Sequence, residues 1–236
     1  MQADTKPSAV PSVVTIDGPS GTGKGATMSI VAEKLGWNML DSGALYRLTA
    51  LAAINHAIDL NDKKKVAGIA ETLDVKFVPD ANNQLCIVLE GLDVTNDIRT
   101  ETAGNNASII ATIPEVRQAL VKRQHAFLQL PGLVADGRDM GTVIFPDAAL
   151  KIFLTASAEK RASRRHKQLK EKGINVNIDS LSREISERDE RDSNRTVAPL
   201  KPADDAEILD TSDLTIEEVV ESVFVLLQKY GLYEES

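Results

Sequence analysis

The chain has 236 residues, of which 42% are apolar, and a formal charge of −8. One α/β core carrying insertions fits that length, and the acidic balance excludes a general binder of nucleic-acid polymers, which needs a basic surface against the phosphates. No run approaches the roughly 18 apolar residues of a membrane span, and residues 1–12, with Pro7 and Pro11, hold no apolar signal core.

In chain order, residues 1–12 are expected to be a flexible tail and Val13 to Ile16 the first strand. The next stretch, Ile16-Asp17-Gly18-Pro19-Ser20-Gly21-Thr22-Gly23-Lys24-Gly25, has the G-x-x-x-x-G-K spacing of a phosphate-binding loop, and a helix is expected from Ala26 to Gly36. Glycines let successive N–H groups turn into one concavity, the helix adds its positive end, and Lys24 reaches the β- and γ-phosphates as a point charge. Gly18 to Ala26 are therefore the expected ATP contacts. Gly25 stands where many such loops carry the Ser or Thr that ligates magnesium, which points away from GTPases and motor ATPases. Nucleoside monophosphate kinases have similar loops ending G-K-G-T, but here Ala26 replaces the threonine. Thr27 lies about 100° further around the helix.

Trp37 to Leu40 reads as a second strand ending at Asp41-Ser42-Gly43, followed by a helix from Ala44 to His56. Tyr46 and Arg47 lie one turn behind Ser42, so a hydroxyl and a guanidinium converge on one anion. Val75 to Val78 and Leu85 to Leu89, around a turn at Pro79 to Gln84, read as a hairpin that breaks the α/β alternation. Cys86 lies on it, with no partner for an internal disulfide, as an expected buried thiol. Gly132 to Ala135 and Leu150 to Leu154 are further short strands. Asp136-Gly137-Arg138-Asp139 puts two carboxylates and a guanidinium at a strand end, with Asp136 placed to help hold magnesium through water.

From Ser157 to Arg195 there are 11 Lys/Arg against 8 Asp/Glu, a basic segment in an acidic chain that suits a small anionic ligand. On its helix from Leu181 to Arg195, two stripes separate. Arg183, Glu187 and Arg191 read as a solvated ion-pair face, and Arg188, Asp192 and Arg195 as the substrate-facing one. Upstream, Arg161, Arg164 and Arg165 share a helical face that could cover ATP; the spacing does not separate the three, and Arg164 is carried forward as the contact. Leu209-Asp210 is the last strand and Ile216 to Tyr230 the last helix. The expected fold is a phosphate-loop kinase core, 13–63 with 106–156 and 197–236, with a central parallel sheet flanked by helices. A small β-containing insertion, 64–105, and a helical lid, 157–196, complete it.

The stretches Ile16 to Gly21, Leu40 to Arg47, Ala135 to Thr142 and Glu187 to Pro199, in this order, resemble the bacterial cytidylate kinases over essentially the whole chain after the tail. The resemblance implies reversible transfer of the ATP γ-phosphoryl to CMP or dCMP, with Mg2+ accompanying ATP. It makes 64–105 the monophosphate-binding insertion. It implies that Ser42, Tyr46 and Arg47 hold the monophosphate, that Ser108, Arg117 and Asp139 read cytosine, that Arg138, Arg188 and Arg195 approach the phosphates, and that Asp192 meets the sugar. Lys24, Arg138, Arg188 and Arg195 are the expected catalytic groups. A phosphate oxygen needs no deprotonation, so His56, His125 and His166 are given no role. Kinases acting on AMP, UMP or shikimate share this architecture and are separated by acceptor profiling. A nucleotide switch lacks support, having neither an Asn-Lys-x-Asp element nor a hydroxyl after Lys24. A cytoplasmic monomer is expected.

Overall fold

The computed structural model describes residues 10–79, 85–171 and 173–234, so most of the expected tail and most of the expected turn at Pro79 to Gln84 lie outside the described residues. Strands β1 (Ser12–Asp17), β2 (Asn38–Asp41), β6 (Gly132–Gly137), β7 (Leu150–Thr155) and β8 (Glu207–Asp210) form a five-stranded parallel sheet in the order β2-β6-β1-β7-β8. Successive residues of a strand point to opposite faces, which sorts the core into two layers. Val13, Leu133 and Ala135 face one side, with α2 (Ser42–Asn55), α3 (Lys63–Glu71), α4 (Glu101–Ile110) and α5 (Pro114–His125). Val14, Ile16 and Val134 face the other, with α1 (Lys24–Leu35) and α8 (Ile216–Lys229). Val223 and Leu227 of α8 are fully buried there, each contributing about 1.5–3 kcal/mol. The expected doubly covered parallel sheet is the observed one.

The Ser12↔Gly132 and Val14↔Leu150 registers bring the C-terminal ends of β1, β6 and β7 to one edge, where Asp17, Asp136 and Gly137 lie side by side. Ligands of open α/β sheets bind at that edge. The hairpin β3 (Val75–Pro79) and β4 (Leu85–Leu89) gains a short third strand, β5 (Leu92–Asp93), in a separate antiparallel sheet. Ile87 and Leu89 turn inward onto Ala44, Leu48 and Ala52 of α2. Strand alternation therefore sends Cys86 to the opposite face, and its thiol is partly exposed rather than buried as expected. The helix α3, not anticipated as an element though most of its residues were assigned to the insertion, packs Val66, Ala67 and Ala70 into the layer that holds Val116 and Leu120 of α5. The charged segment folds as two packed helices, α6 (Ala158–Glu171) and α7 (Ile178–Ser193). Asn177 caps α7 by accepting from the Asp179 and Ser180 N–H groups.

Candidate active site

The loop between β1 and α1 is built by backbone. Gly18 has a φ of 144°, and a Cβ there would lie 2.1 Å from the Leu154 carbonyl oxygen, so only glycine fits. Lys24 opens α1, earlier than expected, and is buried with Nζ donating to the Pro19 carbonyl at 2.7 Å. Burial first, then Arg138, pushes the Lys24 ammonium down to about 7. Asp136, at the end of β6, is pushed the other way, up to about 6 by burial, with Lys24 pulling it back. A Cβ on Gly25 would come 3.5 Å from Asp136 Oδ2, so this residue leaves the space beside that carboxylate open. Ala26 is exposed and Thr27 is buried, its hydroxyl donating to the Gly23 carbonyl at 3.1 Å. Thr27 thus takes no part in the loop's ligand-facing side.

A cavity of about 270 Å³ opens from Ser20, Gly21, Lys24 and Gly25 toward the acceptor side. Every expected acceptor residue lines it. Ser42, Tyr46 and Arg47 come from α2, Ser108 from α4, Arg117 from α5, Arg138 and Asp139 from the turn after β6, and Arg188, Asp192 and Arg195 from α7 and just beyond it. Asp192 is the hub. It accepts from Ser108 Oγ at 2.8 Å and Arg138 Nε at 2.9 Å and pairs with Arg195. Burial opposes its charge, yet Arg138, Arg195 and Arg188 hold it at about 2. Arg117 and Asp139 form a second buried ion pair, in which burial pushes Asp139 up while Arg117 pulls it down. Tyr46 is pushed up to about 12 by burial, so it remains a hydroxyl. Arg188 lies against Gly104, its Nε is buried without a hydrogen-bond partner, and burial together with Arg138 lowers it to about 10. It is still a cation near neutrality, aimed into the cavity.

Several expectations shift. Arg47 is paired with Asp41 at 2.6 Å, and Asp41 also caps α2 by accepting from Ala44 N–H at 2.8 Å. Arg183 and Glu187 are exposed, and no ion pair joins them to each other or to Arg191 among the described residues, so the expected ion-pair face is not formed. Arg161 is buried, donating to the Ser20 carbonyl at 3.1 Å and pairing with Asp189, so it braces the loop from behind. Arg164 lines a second cavity of about 640 Å³ beside Gly21 to Ala26, where it donates to the Thr211 and Leu214 carbonyls. Arg165 pairs with Glu101 of α4. His56 meets Glu90 on the surface, and His125 Nε2 lies 2.8 Å from the Ile144 carbonyl oxygen. Sequence reasoning missed Asp41, Asp189 and Gln124. The Gln124 Oε1 accepts from Ser42 Oγ at 2.7 Å. Only Asp41, at a strand end before a helix, carried a local signal.

A phosphate loop at the C-terminal edge of a parallel sheet, opening on a cavity rich in arginines and paired carboxylates, defines a phosphate-loop kinase of small anionic acceptors. A family model described as Cytidylate kinase matches residues 14–229. A cytidylate kinase of Azotobacter vinelandii is 60% identical over 214 residues, covering 90% of this chain and 93% of that protein. One from Pseudomonas aeruginosa (strain LESB58) is 58% identical over 224 residues, 94% and 97% respectively, and one from Aeromonas salmonicida 56% over 217 residues, 92% and 94%. The chain belongs to the cytidylate kinase family.

Proposed function

We propose that the 270 Å³ cavity takes CMP or dCMP, with its phosphate toward Lys24 and its base toward Arg117 and Asp139, and that the cavity holding Arg164 takes the nucleoside of ATP. The reaction of the family is reversible transfer of the ATP γ-phosphoryl to these acceptors. One observation carries the placement: a single cavity joins the loop lysine at one end to a buried Arg117–Asp139 pair at the other. Cytosine offers an exocyclic amine and a ring nitrogen acceptor, matching a carboxylate and a guanidinium. Uracil would set a carbonyl oxygen against Asp139 and leave a buried charge repelled, and sites built on such pairing discriminate strongly.

The acceptor phosphate is already anionic, so these residues act by holding and neutralising charge. Lys24, Arg138, Arg188 and Arg195 draw the phosphates together in line, and Arg47 grips the acceptor phosphate after exchanging Asp41 for it. Asp192 holds Arg138 and Arg195 in place and offers its remaining lone pairs to the sugar. Among the described residues no group of three metal-ligating side chains exists, and Asp136 stands beside the open space at Gly25. That donor set fits a hydrated Mg2+ ion, which Asp136 would hold through water beside the substrate phosphates. When bound, the ion supplies charge neutralisation on the transferring phosphates.

The helices from 157 to 196 would serve as the lid and 64–105 as the acceptor-side insertion, excluding water during transfer. Among the described residues no helix is long and apolar enough to cross a membrane. On the family likeness we further propose a cytoplasmic protein, read as a monomer. The test is ADP release with magnesium-ATP and a panel of CMP, dCMP, UMP, AMP, GMP and shikimate. Turnover with CMP and dCMP far above UMP is expected, and equal turnover with UMP would remove the base-reading assignment.

A further inference from the structure

Asp17 is a buried carboxylate that no step above uses. It ends β1 one residue before the phosphate loop, and its two oxygens reach across the sheet edge, accepting from Met140 N–H at 2.9 Å and from Gly141 N–H at 2.8 Å. Those N–H groups open a wide helical turn, Met140–Ile144, in which the Ile144 and Phe145 N–H groups reach back five residues to the Asp139 and Met140 carbonyls. Turns of this width are held by tertiary context and recur at functional sites. Arg138 and Asp139 stand immediately before the turn, so its position sets theirs.

Space on the far side is equally fixed. A Cβ on Gly141 would lie 2.8 Å from Thr15 Oγ1 and 3.1 Å from Lys151 Cδ, so the backbone at 141 is pressed between β1, β7 and the Asp17 carboxylate. Asp139, Asp136 and Lys24 are the charged neighbours, and burial pushes the Asp17 carboxyl up, while its two backbone hydrogen bonds pull it down. Bonds from backbone N–H groups to a buried carboxylate are among the stronger hydrogen bonds in a protein.

We propose that Asp17 is a positioning residue: it clamps the Met140–Gly141 backbone and so holds Arg138 and Asp139 at the acceptor, coupling the start of the phosphate loop to base reading. The proposal rests on the assignment of Asp139 to the base. Asp17→Asn keeps the shape but turns an amide NH2 toward one of the two N–H groups. The expected result is a rise of about tenfold in KM for CMP and a fall of about tenfold in the CMP-over-UMP ratio of kcat/KM, with KM for ATP within about twofold of the parent.

The ratio and the split between the two substrates are readouts that loss of stability alone would not move. Gly141→Ala presses the same N–H groups off the carboxylate while leaving Asp17 intact, and decides the matter if Asp17→Asn does not accumulate as folded protein. Asp139→Asn is the control. If it collapses the ratio while folded Asp17→Asn, or Gly141→Ala in its place, keeps the parent ratio, the clamp is overturned. If Asp139→Asn leaves the ratio intact, the base assignment fails instead. The clamp then stands on kcat through Arg138, and a kcat for the clamp variant within about twofold of the parent overturns it.

Discussion

The two ends of the cleft are held by different kinds of contact. At the ATP end the loop is backbone: Gly18 has no room for a side chain against Leu154, and Lys24 is parked on a carbonyl of its own loop. At the end proposed for the acceptor the same task falls to side chains that neutralise one another, Arg117 with Asp139, Arg138 and Arg195 with Asp192, and Arg47 with Asp41. A backbone cradle is complete before a ligand arrives, whereas an ion-pair network must release cations to one. Removing a loop group should therefore abolish chemistry, and removing a network group should also blur selectivity or loosen the fold.

The largest effect is expected at the backbone end. Lys24→Ala should lower kcat by about 10³-fold in the ADP-release assay with KM for CMP little changed, because the cation sits where charge develops during transfer. A fall under about tenfold would mean that the arginines carry the transfer without it. Arg188→Ala is next, at about 10²-fold in kcat, since among the described residues Arg47, Arg138 and Arg195 are each held in an ion pair while none holds Arg188, which has no carboxylate to release. If its loss appeared only in KM for CMP, Arg188 would belong to acceptor binding alone.

Asp139→Asn sharpens the contrast, because it should cost more in discrimination than in rate. The CMP-over-UMP ratio is expected to fall by about 10²-fold, and stability to fall by about 3–5 kcal/mol, since Arg117 is left buried without its counter-charge. Chemical denaturation of the ligand-free protein reads the second number. An unchanged midpoint would show that Arg117 finds another partner.

The same difference explains what was legible in the sequence. The loop was readable because its geometry depends on glycine spacing over ten consecutive residues, from Ile16 to Gly25. The sheet strands and the helices α1, α2 and α8 were readable from apolar periodicity, with ends displaced by a residue or two, as at Lys24, whereas the core helices α3, α4 and α5 were not anticipated. Asp189 and Gln124 were not readable, because each acts through a partner 28 or 82 residues away. The ion-pair face expected of Arg183, Glu187 and Arg191 failed for a related reason. Their spacing fits an isolated helix, but Arg183 and Glu187 are exposed, where pairing gains little over water, and Arg191 is half-buried. Cys86 turned outward because the inward face of β4 was set by Ile87 and Leu89.

Protonation offers a gentler probe of the ATP end. Burial holds Lys24 down to about 7, against 10.5 for a free lysine, whereas a bound polyphosphate favours the ammonium. Free enzyme is therefore neutral at Lys24 above about pH 7, and ATP binding should take up to about one proton between there and the free-lysine value. Affinity for ATP should weaken as pH rises through that window. Calorimetry of ATP binding at pH 8 in buffers of different ionisation enthalpy measures the uptake, and its persistence in Lys24→Met would assign it to another group.

The smallest effect is expected where the proposed lid meets the proposed insertion. Arg165 of α6 pairs with Glu101 of α4 and donates to the Arg99 carbonyl at 3.2 Å, a peripheral charged contact beside the buried Asp192 pairs that join α7 to Arg138 and Ser108. Side-chain exposures of 23% and 32% keep it in reach of solvent, so the pair is worth only about 0.2–1 kcal/mol. Glu101→Gln should accordingly raise KM for CMP by about 1.4- to fivefold with kcat unchanged, and high salt should shrink the difference, because at 1 M the screening length is about 3 Å. The double variant Glu101→Gln/Arg165→Gln decides whether the contact acts as a latch. Effects no larger than either single change mean that the two side chains work as one unit, whereas simple additivity means that each touches the reaction separately and the lid is held by its other contacts.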